Sequence, residues 1–226
     1  MDVTRKVLLR ALILFPALAV MLVAPSGSWT FWPGWVVFFL FAIGTVVFTL
    51  YLGRRDPELL RRRMQSHEST REQRLFRVMW IPLWVVLFTL PGIDYRLGWT
   101  HSLTGGLPIW LIALADVLFV ASFLLIFQTM RANTFASSTI QVEAGQYLIS
   151  SGPYEVVRHP MYSGFLIMIL VMPLALGSAI DLTAAVLLIP VVVYRLVHEE
   201  RTLRAELPGY TEYCVRTRYR LIPHVY

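Results

Sequence analysis

The run from Met161 to Val197, MYSGFLIMILVMPLALGSAIDLTAAVLLIPVVVYRLV, contains only two charged residues, Asp181 and Arg195. Roughly 20 mostly apolar residues carry one helix across a bilayer core of about 30 Å, so this run is close to twice the length of one crossing. Gly177-Ser178-Ala179 divides it near its middle. Two apolar segments parted by three small residues predict a tight hairpin of membrane helices.

Working outward, four further apolar runs precede it, at about 7–24, 33–52, 76–92 and 107–127, and the hairpin adds 161–177 and 180–197. The whole chain agrees with these runs. Of its 226 residues 57% are hydrophobic and 15% charged, more apolar and less charged than soluble domains. The first run lacks a small-residue cleavage motif and continues into a second span, so no cleaved signal peptide is expected. A single cysteine, Cys214, excludes an intrachain disulfide. The predicted fold class is therefore all-α: a polytopic transmembrane helical bundle of about six apolar segments, with polar loops and a C-terminal helix at one end. Residues 1–127 form an N-terminal set of membrane helices with a basic loop at 53–75, and residues 128–226 form a second unit.

Six crossings gather 1–6, 53–75, 128–160 and 198–226 on one face, with Arg5, Lys6, Arg10, the arginines from Arg54 to Arg77, Arg131, Arg158, Arg195, Arg201, Arg204, Arg216, Arg218 and Arg220. The other face keeps Arg96. Positive residues mark the cytoplasmic side, which places both termini there and makes the protein integral to the membrane. The net charge of +6 is explained by arginine beside anionic lipid headgroups and calls for no nucleic-acid partner.

Two charged stretches border the hairpin. Ahead of it stands GPYEVVRHPMYSG, Gly152 to Gly164. Pro160 disfavours helix at His159, so Arg158-His159 is predicted to lie in an extended turn just before a helix whose first N–H groups favour anions. An arginine anchor at the interface explains the same residues equally well. Behind the hairpin, helical spacing puts Arg195 and Glu199 on one face, with His198 and Thr202 within a turn. Glu200 and Arg204 have the favourable order for a helix pair, which leaves Arg195 and Glu199 for a ligand. His198-Glu199-Glu200-Arg201 lacks the second histidine of a zinc motif, since position 202 is threonine, and no metal site is predicted. Asp56-Pro57-Glu58 starts a short interfacial helix, Leu59 to Met64, read as a basic anchor. Gly92 to Gly106, with Asp94, Arg96 and His101, is predicted to be a loop. Between Gln128 and Gln146 the polar set Asn133, Thr134, Ser137, Ser138, Thr139 and Gln141 either walls a ligand site or forms an ordinary surface loop.

Tyr147-Leu148-Ile149-Ser150-Ser151-Gly152-Pro153-Tyr154, Arg158-His159-Pro160-Met161-Tyr162, Arg195 with Glu199-Glu200 and Leu203, and Gly209-Tyr210 through Ile222-Pro223 resemble the isoprenylcysteine carboxyl methyltransferase and phospholipid methyltransferase superfamily. The resemblance covers about residues 128–226. It implies a membrane-embedded enzyme that uses S-adenosyl-L-methionine. By the same resemblance Gln146, Tyr147, Leu148, Ile149, Tyr154, Arg158, His159, Pro160, Met161, Tyr162 and Glu199 hold the cofactor and Arg195 the substrate. Arg158 or His159 suits the cofactor's carboxylate, Glu199 its ammonium and the tyrosine faces its sulfonium. Gln146 stands where the isoprenylcysteine enzymes have histidine; the family's upstream glutamine corresponds to Thr139 by spacing or Gln141 by chemistry.

The expected activity is methyl transfer to a lipophilic acceptor from the bilayer, either a small molecule or a lipidated one. A carboxylate of an isoprenylcysteine-like, isoprenoid or other lipid acceptor needs Arg195 to orient it and no base. A phospholipid-type amine needs deprotonation, by Glu200 or His198. Two other readings are a membrane NADPH-dependent reductase of the sterol type and a non-catalytic membrane scaffold. The topology gives a first test. Cysteines placed at 151 and 102 should react with an impermeant thiol reagent from opposite sides of the membrane, and labelling from the same side would refute the six-crossing arrangement.

Overall fold

The computed structural model describes residues 3–64, 71–135, 142 and 145–225, with backbone alone at 71–73. Ser137, Ser138, Thr139 and Gln141 of the polar loop lie outside the described residues. The elements are α1 (Val3–Val23), α2 (Trp32–Arg55), α3 (Pro57–Met64), α4 (Arg71–Leu97), α5 (Trp99–Thr104), α6 (Ile109–Ala132), α7 (Pro153–Val156), α8 (Pro160–Ala175), α9 (Leu182–Glu206) and α10 (Tyr210–Arg216). There is no strand among the described residues, so the all-α class holds.

Among the described residues, five helical segments are long and apolar enough to cross a membrane: Val3–Ser26, Trp32–Arg55, Arg74–Leu97, Ile109–Ala132 and Leu182–Glu206. The sixth expected crossing is α8, which has 16 residues and spans about 24 Å at 1.5 Å per residue, short of a full hydrocarbon core. Pro160 sets its start, and the left-handed Gly177 (φ +73°) turns the chain after its end. The hairpin of α8 and α9 forms as predicted. Being apolar on every side, α8 is a buried helix: Met168, Ile169, Met172 and Ala175 are buried as it packs on α6 and α9. Gly164 permits the close approach to α6, because a Cβ there would fall 2.7 Å from Ile126 Cγ1.

The outer surface is as apolar as the core. Leu12, Ile13, Val117 and Leu187 are all exposed, a distribution that suits acyl chains. In the interior, Leu22, Leu52, Phe119 and Leu188 are fully buried.

At the end of the bundle away from the RHP turn, Gly92 to Gly106 is helix, where the sequence pattern predicted a loop. The chain runs in α4 to Leu97, breaks at the left-handed Gly98, resumes in α5 and ends at Gly105. Gly92 allows this, since a side chain there would meet the backbone of Ser26 at 2.9 Å. Asp94 accepts hydrogen bonds from Thr100 N–H (2.7 Å), Thr100 Oγ1 (2.5 Å) and Ser178 Oγ (2.6 Å), which ties α4 and α5 to the hairpin turn. His101 is exposed on α5. At the opposite end, Leu59 N–H donates to Asp56 Oδ1 at 2.9 Å, the predicted cap of α3. The polar segment also starts later than the sequence reading placed it, because Gln128 to Ala132 continue α6.

Candidate active site

The RHP turn is held by the end of the chain. His159 is extended (φ −127°), as the following proline requires. Arg158 N–H donates to Tyr219 O and His159 N–H to Arg220 O, both at 2.9 Å, so residues 219–220 run alongside the turn. Arg158 is buried, with Nε 2.9 Å from Glu200 Oε1. Its Nη1 donates to Thr217 O (3.1 Å) and Arg218 O (3.0 Å). Glu200, also buried, is reached by Arg220 Nε at 2.7 Å and Arg204 Nη2 at 3.4 Å. The expected Glu200–Arg204 pair is therefore present, within a larger cluster that the sequence order did not reveal.

Above this cluster lies a polar cavity. Its lining takes in Gln146, Tyr147, Leu148 and Ile149 from the extended segment after Gly145, then Tyr154, Arg158, His159, Met161, Tyr162 and Glu199. These residues, distant in sequence, come together as the resemblance implies. Two of the expected residues do not face it. Pro160 borders an apolar groove on another side of α8, so it acts by setting the backbone of His159. Glu200 lines neither this cavity nor its neighbour; the three arginines that offset its charge occupy it, and its proposed service as a base has no geometric support.

Phe135 and Leu207, not singled out beforehand, complete the wall with Tyr210 and Tyr213 of α10, which lie in the Gly209-to-Pro223 stretch that carried the resemblance. Tyr213 Oη donates to Tyr154 O at 2.7 Å, Tyr210 Oη lies 3.4 Å from His159 Nε2, and Asn133 Nδ2 donates to Tyr154 Oη at 3.1 Å. The signal for α10 was Gly209-Tyr210, where the left-handed glycine (φ +79°) turns the chain back over the cavity.

Burial pushes the Tyr154 hydroxyl up to about 12, so it stays protonated. Burial also holds the His159 imidazole below its ordinary 6.5, although Glu199 and Glu200 act in the opposite direction. His159 is therefore neutral near pH 7, and Arg158 is charge-balanced by Glu200. The turn offers a ligand polar contacts in place of the expected cationic pair. Because the folded imidazole binds its proton less readily than the unfolded one, stability is greatest above pH 6.5 and falls as the pH drops toward the lowered value.

A second cavity of ≈ 310 Å³ adjoins the first, sharing Met161, Tyr162 and Glu199 with it. Arg63, Phe76, Arg77, Trp80, Phe165, Val192 and Arg195 complete it. Tyr162 Oη donates to Glu199 Oε2 at 2.5 Å at the junction. Arg195 Cζ lies 4.6 Å from the Phe76 ring centroid, a cation–π contact that fixes the guanidinium one helical turn before Glu199. Arg63 comes from the short helix read as a basic anchor and Arg77 was counted only among the positive charges of one face; spacing gave no sign that both line one cavity with Arg195.

The arginine cluster predicts a stability difference. Glu200→Gln leaves Arg158, Arg204 and Arg220 without their shared counter-charge and should destabilise the fold by about 3–5 kcal/mol, seen as a lowered thermal midpoint in detergent. Glu199→Gln should change that midpoint little. Equal midpoints for the two variants would refute the structural role of Glu200.

Residues 110–207 match the family model described as phospholipid methyltransferase. A stretch of 91 residues is 35% identical to the Delta(14)-sterol reductase TM7SF2 of Mus musculus, covering 39% of this chain and 22% of that protein. From α6 to the Glu199–Glu200 end of α9, the chain thus matches the membrane methyltransferase superfamily that its RHPxY and RxxxEE motifs resemble.

Proposed function

We propose that the protein is an S-adenosylmethionine-dependent methyltransferase whose acceptor is the carboxylate of a lipophilic molecule arriving from the bilayer. The observation that carries this reading is the junction of the two cavities at Tyr162 and Glu199, with polar and tyrosine groups on one side and arginines on the other. S-adenosylmethionine, when bound, supplies a methyl carbon on a cationic sulfur; the methyl passes to a carboxylate oxygen as the carbon–sulfur bond breaks, giving an ester and a neutral thioether.

The lining suits that cofactor. Glu199 provides an anion for its ammonium, Tyr154 and Tyr162 provide ring faces and hydroxyls near a sulfonium, and the 146–149 segment provides backbone and amide groups for the adenine. On the inner side Arg195, fixed over Phe76, orients the acceptor carboxylate. Arg195 and Glu199 sit one turn apart on a rigid helix, so the reacting groups are positioned by α9 itself, and positioning is the main source of acceleration. No proton moves, since the nucleophile is already an anion. An amine acceptor would need a base, and the two suggested ones are elsewhere: Glu200 is inside its arginine cluster, and His198 Nδ1 is 2.9 Å from Tyr194 O with its ring packed on Tyr194. By the charge asymmetry of the loops, the cofactor side faces the cytosol.

The similarity to a sterol reductase favours a second reading, reduction of a lipid by a nicotinamide cofactor. Its 2′-phosphate would seek a cation in the cavity, where the lining holds one guanidinium, Arg158, already engaged by Glu200. Arg131 packs on Tyr51 and Phe127, away from that lining.

Titrations of purified protein separate the readings. S-adenosylhomocysteine should bind and NADPH should not; the reverse would establish the reductase. Glu199→Gln should weaken S-adenosylhomocysteine about ten- to a hundredfold, because a charge-assisted contact of about 1.5–3 kcal/mol is lost. Arg195→Ala should bind it normally while losing methyl transfer. Loss of its affinity in Arg195→Ala would contradict the acceptor role.

A further inference from the structure

Arg63 occupies a place that the matched family segment does not reach. It lines the inner cavity with Arg195, and it also lines an apolar groove of ≈ 690 Å³ between α1 and α4. Trp80 is common to both as well. Beyond Arg63 the groove wall is Leu14, Leu18 and Met21 from α1 with Ile81, Trp84 and Phe88 from α4. Leu14, Ile81 and Val85 of this lining are exposed on the apolar outer surface, so the groove opens toward the acyl chains. From Val7 to Met21 along α1 it extends about 21 Å at 1.5 Å per residue, the reach of a long extended hydrocarbon tail. Its charged lining residues, Arg10 and Arg63, are both basic.

The second cavity sets Arg63, Arg77 and Arg195 around one small volume. Burial lowers the pKa of the Arg63 guanidinium; Tyr162 offsets this and the neighbouring Arg195 charge reinforces it. Arg63 Nη1 also donates to Met161 Sδ at 3.6 Å, which points its fork toward the junction. Guanidinium groups gathered at the mouth of an apolar groove match one kind of occupant, an amphiphile with an oxyanion head and one long tail. Glu199 lines the same volume, so three arginines face one acid there; a cationic head would meet this excess of positive charge, and an oxyanion is the headgroup it favours.

We propose that Arg63 is the specificity-determining residue for the acceptor: it joins Arg195 in clamping an oxyanion headgroup while the groove between α1 and α4 holds a single apolar tail. The inference rests on the methyltransferase reading for the identity of the acceptor, and assigns its recognition to the N-terminal half of the chain. Arg63 is a positioning residue: it reaches Met161 at the junction and lines the inner cavity but not the cofactor cavity.

Tail-brominated fatty acids test this, because bromine quenches tryptophan fluorescence on contact and Trp80 and Trp84 line the groove. Full-length purified protein is titrated with dibrominated stearate, its methyl ester and the corresponding amine. The acid should quench saturably and bind about tenfold or more tightly than the ester or amine. Arg63→Gln should bring the acid down to the level of the ester, Arg63→Lys should fall between, and S-adenosylhomocysteine affinity should stay within about twofold of wild type in both. Replacing Trp80 and Trp84 together by phenylalanine should remove the saturable part of the quenching, leaving that of the tryptophans elsewhere on the surface. Equal binding of acid, ester and amine to wild type overturns the proposal, as does acid preference surviving Arg63→Gln or undiminished saturable quenching after the double tryptophan replacement. Should Arg63→Gln not fold, the wild-type head comparison and Arg63→Lys still decide. Arg63-dependent acid binding by a protein that does not bind S-adenosylhomocysteine would sink the methyltransferase reading and keep the clamp; the opposite pattern would do the reverse.

Discussion

A buried carboxylate shared by arginines from three parts of the chain holds the candidate site together. Glu200 projects from α9 and meets Arg158 of the RHP turn, Arg220 of the C-terminal segment and Arg204 of its own helix. One acid facing this much positive charge is strongly held, and removing it would leave the buried Arg158 without the carboxylate it faces. The cluster also fixes direction. With Glu200 turned into it, Glu199 on the adjacent face of the helix is left to point at Tyr162 and both cavities. Two neighbouring glutamates thus face different surroundings, one an arginine cluster and the other the junction of the cavities.

The membrane sets the other constraint. Within hydrocarbon, backbone groups must be satisfied by their own helix, so irregular chain is confined to the ends of the bundle, and the polar cavity forms at one of them. The cavity roof consists of the 145–151 segment and α10, pinned by Tyr213 to the Tyr154 carbonyl and by residues 219–220 to the turn. The inner cavity, reached past Tyr162, is built jointly by α3, α4, α8 and α9. The match to the phospholipid methyltransferase model begins at residue 110 and ends at 207, so Arg63, Phe76, Arg77 and Trp80 of the inner wall and α10 of the roof come from outside the matched segment.

Much of this was legible in the sequence where the signal was local. Apolar run length placed the helices, Asp56 placed the start of α3, and Pro160 placed the extended His159. The run at 161–177 forms α8, the first arm of the predicted hairpin; its burial by α6 and α9 is a tertiary fact, because an apolar run reads the same whether it faces lipid or protein. The Gly92–Gly106 stretch was misread since its glycines serve close packing and a single helix break. Arg63 and Arg77 looked like topological charges, as arginines beside a membrane usually are, and only tertiary packing, with α3 against α1 and α2 and α4 against α9, brings them to the junction. Arg158 and Glu200, 42 positions apart in the chain, could not be paired by helical spacing, which informs only on residues within a turn or two.

The central claim is that a methyl group crosses the junction at Tyr162 and Glu199 onto a lipid carboxylate. It is tested most directly by incubating the purified protein, in vesicles made from the membranes of its own cells, with S-adenosylmethionine labelled in the methyl group, and then extracting the lipids. The account predicts label in the lipid fraction that mild base releases as volatile methanol, as a methyl ester requires. Label that resists base would contradict the carboxylate acceptor, and an unlabelled lipid fraction would contradict methyl transfer to a membrane lipid altogether.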